Sequence, residues 1–454
     1  MLDLLVLGDL VLDHGVVRSG AVGVVGGKVA GIYAAPGAAP AGAETVDAAG
    51  CLIYPGMVDA HVHCHSSQAE TMELATQAAA AGGVTTILDM PYDIGAPVTT
   101  VDIFRKKVTE IRQAARVDVA MLATLRKQAE PDEVAPLVRE GACGFKLSVY
   151  ETDPQRFPRI DDHVLWRVLP EIARWGVPVG FHGEIDLIIE DLIARAKREG
   201  RIDPLAHYET RPPASETLAV LKLLELAYWS KVKLHIFHTS QPRSVELVQW
   251  FKAQGVDVSV ETCPHYLLLE AEQDLPRVKA FAKINPSILK RPERDALWDH
   301  LLAGRVDLIA SDHAPWLPDR KNKENIFENA SGAPGLETSL PLMHDALVAK
   351  RGQDPSRVAR LLCGNPARRF GLAPRKGSIR LGADADFAIL DPHRPFTIDA
   401  TKSYSSAKWS PYDGWTTQGR VVRTVLRGTT IYDGEKVVAP AGSGEFLPGP
   451  GTAA

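Results

Sequence analysis

At 454 residues the chain is long enough for a large barrel plus an accessory domain. Its net charge of -5 and 24% charged residues suit an ordinary soluble protein and give no electrostatic case for binding nucleic acid. No apolar run is long enough to span a bilayer, and the start, Met1-Leu2-Asp3-Leu4-Leu5, lacks a basic region and a signal-type cleavage site.

Taken in chain order, residues 1–54 read as short strands separated by glycine turns, at 4–8 and 21–30. Residues 55–375 alternate apolar strands with amphipathic helices. Strands are expected to begin near Met57, Val84, Val117, Cys143, Val177, Val232, Val256 and Val306. Helices are expected over 70–81, 103–115, 162–175, 215–228 and 291–302. Eight strands alternating with helices predict an α/β fold, a closed (β/α)8 barrel of the TIM type. Residues 376–440 return to short strands, at 377–380, 386–390 and 421–428. Two β-rich ends around an α/β middle predict one small β-sandwich built from both. Residues 441–454, rich in Gly, Pro and Ala, are expected to form a flexible tail. Cys51, Cys64, Cys143, Cys263 and Cys363 are scattered, and they read as free thiols of a cytoplasmic protein.

Six side chains with ligand chemistry stand at the carboxyl ends of these apolar runs: His61, His63, Lys146, His182, His238 and Asp312. Singly, each has a plain structural reading. A buried histidine is usually a hydrogen-bonded core residue, an aspartate after a strand often caps a helix, and a lysine usually snorkels to solvent. As a set in barrel order they converge, because a closed barrel brings the carboxyl ends of its strands to one face. His61 and His63, two apart on a strand, share a side and can grip one metal with Asp312. His182 and His238 can hold a second ion. A neutral or charged lysine cannot bridge two cations, but a lysine carbamate made from carbon dioxide can, and buried lysines lose their charge readily. Such a centre would activate a hydroxide and polarise a carbonyl, with Asp312 as the proton shuttle. Cys64, between two histidines, is expected to point away.

The motifs sharpen this. They run Pro55-Gly56-Met57-Val58-Asp59-Ala60-His61-Val62-His63, Gly82-Gly83-Val84-Thr85-Thr86, Gly144-Phe145-Lys146, His182-Gly183-Glu184, His238-Thr239-Ser240, Glu261-Thr262-Cys263-Pro264-His265-Tyr266-Leu267, Ser311-Asp312-His313-Ala314-Pro315 and Gly335-Leu336-Glu337-Thr338. Asn365-Pro366-Ala367 and Asp384-Ala385-Asp386-Phe387 follow. With them the chain resembles the cyclic amidohydrolases: hydantoinases (dihydropyrimidinases), allantoinases and dihydroorotases. The resemblance implies two divalent ions per chain, usually zinc, a carboxylated bridging Lys146, hydrolytic opening of a small cyclic amide, and a homo-oligomer, commonly a tetramer. Dihydroorotases hold a substrate carboxylate with an arginine after the first H-x-H and often with a histidine after the D-H-A-P stretch. Here those places fall on His65 and Trp316, which favours a neutral ring. Trp409-Ser410-Pro411-Tyr412 and residues 421–433 look more like allantoinases. By the same resemblance Tyr150, one residue short of the usual spacing, is the candidate oxyanion-stabilising tyrosine, and Asn285 the contact to the ring amide. The substrate-binding set is thus His65, Asn285 and Trp316. The expected activity is hydantoinase- or allantoinase-type hydrolysis. The alternatives are a dihydroorotase-like or cyclic-imide hydrolase and a non-catalytic hydantoinase-like scaffold, the last of which predicts missing ligands.

Overall fold

The computed structural model describes residues 1–65 and 67–452. Four strands come first: β1 (Leu2–Leu12), β2 (Gly15–Val25), β3 (Lys28–Tyr33) and β4 (Gly42–Pro55). Eight follow in the middle of the chain: β5 (Met57–Val62), β6 (Val84–Asp89), β7 (Asp118–Ala123), β8 (Gly144–Ser148), β9 (Pro178–His182), β10 (Lys233–Ile236), β11 (Val258–Thr262) and β12 (Leu308–Ile309). The last three are β13 (Phe387–Thr397), β14 (Thr416–Leu426) and β15 (Thr429–Tyr432).

Strands β5 to β12 form one parallel sheet in sequence order. Every residue of β5, β6, β7, β8, β9 and β11 is buried, as a parallel sheet covered by helices requires. The ring closes just beyond β12. His63 donates its backbone N–H to the His313 carbonyl at 2.9 Å, His313 donates to the His61 carbonyl at 3.2 Å, and Asp59 Oδ1 accepts from the Ser311 N–H at 3.1 Å. This is the expected (β/α)8 barrel.

Its helices begin and end on local chemistry. Thr71 and Thr100 cap the helices Met72–Ala81 and Val101–Ala114, each hydroxyl accepting an N–H that the first turn leaves unpaired. Helix Asp162–Trp175 buries Val164, Leu165, Val168, Leu169 and Ile172, a spacing that forms one stripe. Full burial of each such side chain stabilises by about 1.5–3 kcal/mol. Gly176, with φ 65°, stops this helix in the left-handed region that glycine adopts without strain. Among the described residues, no helix is long and apolar enough to cross a membrane.

Both chain ends build the second sheet, ordered β15-β14-β13-β4-β1-β2-β3. It curls into a small sandwich. Leu4, Val6, Val22, Val24, Ile53, Phe387, Ile389 and Val425 share one core, and a Cβ at Gly428 would stand 3.0 Å from Val24 Cγ1. Three expectations change here. The stretch 21–30 divides between β2 and β3 at Gly26-Gly27, whose φ values of 58° and 73° make the turn. Residues 377–380 form no strand, although Ile379 still enters the sandwich core. The C-terminal segment has no regular structure but is docked rather than loose. Its backbone at Glu445 and Leu447 pairs with Val119 at 2.8 Å, and Leu447 is buried beneath the barrel.

A buried ionic knot joins sandwich to barrel. Lys376 Nζ lies 2.5 Å from Asp118 on β7 and 2.7 Å from each of Asp384 and Asp386 before β13. These carboxylates crowd as they would around a metal ion, but the lysine ammonium stands among them.

Candidate metal centre

All six sequence-derived ligands reach one place at the carboxyl end of the barrel. They line an open pocket with about 610 Å³ of empty space, together with Tyr92, Thr152, Arg156, Phe157, Asn285 and Trp316. Donor atoms of His61, His63 and Asp312 lie within 4.8 Å of one another. His61 Nε2 is 3.2 Å from Asp312 Oδ1, and His63 Nε2 is 3.7 Å from it. His182 Nδ1 faces His238 Nε2 at 2.9 Å. Lys146 Nζ stands 3.4 Å from His61 Nε2 and 3.8 Å above the Phe237 ring. His238 and Asp312 sit just past their strands with φ of 37° and 48°, in the left-handed region that non-glycine residues rarely occupy.

Burial and like charge set the protonation. Burial, then the Lys146 ammonium, hold His61, His63 and His238 well below the usual histidine range, so their ring lone pairs are available to a cation. Burial pulls Lys146 down to about 7 against the attraction of Asp312 and Glu261, so a neutral amine is accessible near neutral pH. Burial likewise raises Asp312 to about 7, with Lys146 opposing and Asp59 adding. Neutral imidazoles, a deprotonatable lysine and a carboxylate converging at the floor of one pocket fit a pair of divalent cations.

Two carboxylates orient the histidines from behind. Glu261 Oε1 accepts from His61 Nδ1 at 2.9 Å and from the His238 backbone N–H at 3.2 Å. Glu184 Oε2 holds His182 Nε2 at 2.8 Å, and Arg211 Nη1 donates to both Glu184 oxygens at 2.6 Å. Burial would raise the Glu184 carboxyl, but the Arg211 guanidinium outweighs it and holds it at about 2. Sequence reasoning missed these partners. Glu184 and Glu261 lie inside motifs that were legible, yet their roles show only when the rings are placed. Arg211 carries no motif at all.

The substrate-side expectations divide. Trp316 forms pocket wall, its Nε1 tied to the Ser331 carbonyl at 2.9 Å. Asn285 lines the pocket, and its buried Oδ1 has no hydrogen-bond partner. His65 is not brought into the wall, because its Nε2 is taken by Glu110 at 2.8 Å. Burial opposes its charge, but Glu110, Asp89 and Asp93 raise its pKa, so the charge is spent on local carboxylates. Tyr150 is corrected too. Its hydroxyl accepts from Arg211 Nη2 at 3.1 Å behind His182, outside the pocket wall. A cation that the sequence reading did not count, Arg156, lines the pocket instead. His265 is buried outside the pocket, and Cys64 is buried beside Asp89. His313 is held by Glu70 and the Gly335 N–H.

Comparison with known proteins shows the family: the chain belongs to the amidohydrolases. The sequence profile of the Amidohydrolase family matches residues 52–431. An allantoinase of Rubrobacter xylanophilus is 37% identical over 443 residues, covering 96% of both chains. An L-hydantoinase of Paenarthrobacter aurescens is 33% identical over 427 residues, covering 93% of this chain and 92% of its own. A solved L-hydantoinase (dihydropyrimidinase) from Arthrobacter aurescens superposes with a TM-score of 0.93 at 32% identity, covering 99% of this chain and all of its own.

Proposed function

We propose, for a chain that belongs to the amidohydrolase family and hydrolyses C–N bonds of cyclic amides, that the substrate is a neutral five- or six-membered cyclic ureide of the allantoin or hydantoin kind. The observation that carries this reading is the convergence of His61, His63, Lys146, His182, His238 and Asp312 on one pocket floor. His61, His63 and Asp312 would hold one divalent ion, His182 and His238 a second, and a carboxylated Lys146 would join them, with zinc the ion of choice for so many imidazoles. When bound, the ions would supply Lewis acidity, lowering the pKa of a water and polarising a carbonyl. Asp312, buried between His61 and His63, takes a proton at its carboxylate and returns it to the leaving ring nitrogen. Asn285 Oδ1, an acceptor with no partner, suits a ring N–H. Tyr92 and Phe157, stacked at 3.5 Å, and Trp316 offer an aromatic wall to a planar ring.

A ring bearing a carboxylate is the second reading, and Arg156 is the observation that favours it. Five buried or half-buried free cysteines support a reducing, cytoplasmic setting. Exposed Trp166, Leu218, Leu221 and Trp229 on the outer helices support assembly with further copies of the chain.

The test is a panel of allantoin, hydantoin, dihydrouracil, dihydroorotate and succinimide on metal-loaded protein at neutral pH. If Arg156 does not clamp a substrate carboxylate, dihydroorotate should trail allantoin or hydantoin about ten- to a hundred-fold in kcat/KM, the worth of one charge-assisted hydrogen bond. If dihydroorotate is the best substrate, the second reading replaces the first.

A further inference from the structure

We propose that Arg211 is a positioning residue that acts through Glu184 to present His182 to a cation, and thereby sets the affinity of one ion position separately from the other. The inference rests on the two-metal reading above and adds a residue to it.

Arg211 lies outside the barrel strands, between the helices Pro204–Glu209 and Pro213–Ser230. Its side chain is only 4% exposed and Glu184 only 1%. The guanidinium is held through its two terminal nitrogens, while its buried Nε has no hydrogen-bond partner. Nη1 reaches both Glu184 oxygens at 2.6 Å, and Nη2 reaches the Tyr150 hydroxyl at 3.1 Å. Glu184 Oε2 in turn holds His182 Nε2 at 2.8 Å. With the Nε2 hydrogen given to Glu184, the network leaves the Nδ1 lone pair facing His238 Nε2, 2.9 Å away. The choice of tautomer and the angle of the ring both follow from where Glu184 stands, and Arg211 is what fixes Glu184.

The His61 position is anchored elsewhere. His61 leans by Nδ1 on Glu261, which also holds the backbone of His238 from the second position and approaches His235 at 3.4 Å. Arg211 makes none of these contacts. Removing it should therefore loosen His182 and spare the position made by His61, His63 and Asp312.

The experiment titrates bound zinc per chain against graded chelator in the full-length protein, for wild type, Arg211→Met and Arg211→Lys. Wild type should hold two ions. Arg211→Met should release one of them about 10- to 100-fold more readily, the usual cost of losing a group behind a metal ligand, with the other unchanged. Arg211→Lys should recover part of the loss, since it keeps the charge but not the two-pronged contact. In a His182→Ala background Arg211→Met should add nothing further. Should Arg211→Met fail to fold, Glu184→Gln, which keeps the shape and removes the charge, should give the same loss of one ion. The inference is overturned if the variant holds both ions with wild-type affinity, if both weaken alike, or if the effect survives without His182. A wild-type chain that binds fewer than two ions overturns the two-metal reading itself, and the inference with it.

Discussion

Lys146 and Asp312 show why single residues are informative here. Each is a group whose charged form burial opposes, and each is moved to about 7 from opposite directions. Buried lysines elsewhere have fixed oxygen partners: Lys107 has Asp89 at 2.7 Å and Asp93 at 2.6 Å, and Lys321 has the Lys283 and Gly332 carbonyls at 2.9 and 2.6 Å. Lys146 instead faces histidines, so a cation-binding or carbamate role explains a burial that packing does not. Asp312 is the shared oxygen between His61 and His63. Asp312→Asn keeps the shape but removes both the anionic ligand and the proton carrier, so kcat should fall by at least about 10²–10⁴-fold. Steady-state kinetics on metal-loaded variant protein measures it, and retention of most of the wild-type kcat would remove Asp312 from the proton path. These six positions were legible in the sequence because strand ends in a barrel must converge. The carboxylates and the arginine behind them were not, since a hydrogen bond between residues 27 apart, such as Arg211 to Glu184, leaves no periodic trace. Nor could spacing tell that Glu110 would claim His65.

At the scale of elements, the strands carry more than ligands. Gly180 on β9 pairs with Lys146 on β8 and with His235 on β10. A Cβ there would lie 1.9 Å from Phe237 Cε2. The Phe237 ring therefore lies across the glycine and forms the floor under Lys146, with the His61 ring 4.8 Å from it. Gly180→Ala must push Phe237 aside. It should cost about 1–3 kcal/mol in overpacking, and it should lower kcat/KM because the floor of the centre moves. Thermal unfolding and kinetics on the same preparation check this, and an unchanged melting temperature would mean that the ring is not seated there. The barrel strands were readable because full burial writes continuous apolar runs. Strand β4, Gly42–Pro55, was not, since its first half alternates exposed and buried residues and includes glycine and acidic residues. It is specified by partners, pairing with β1 on one side and β13 on the other.

Across the whole molecule, stability depends on how sandwich and barrel are tied. Lys376, 1% exposed, is the cation among Asp118, Asp384 and Asp386, and Arg427 adds a contact to Asp118. Lys376→Met would leave Asp386 without its cation and would remove one of the cations shared by Asp118, which keeps Arg427, and Asp384, which keeps Lys28 and Arg375. Breaking a buried ion cluster from one side costs about 3–5 kcal/mol. Denaturant unfolding should show that loss, whereas a change within about 0.5 kcal/mol, as for ordinary surface sites, would mean that Lys28, Arg375 and Arg427 suffice. The sequence by itself determined the barrel, the sandwich shared by both ends, the convergence of six candidate ligands and the hydrolytic chemistry. All of these follow from local pattern: apolar runs, helix periodicity and ligand types at strand ends. Only the tertiary structure decided which side chains form the pocket wall, that Arg156 enters it while His65 and Tyr150 do not, and that the C-terminal segment packs under the barrel. Those outcomes depend on contacts between distant segments, where charge pairing and burial choose among orientations that the local sequence leaves open.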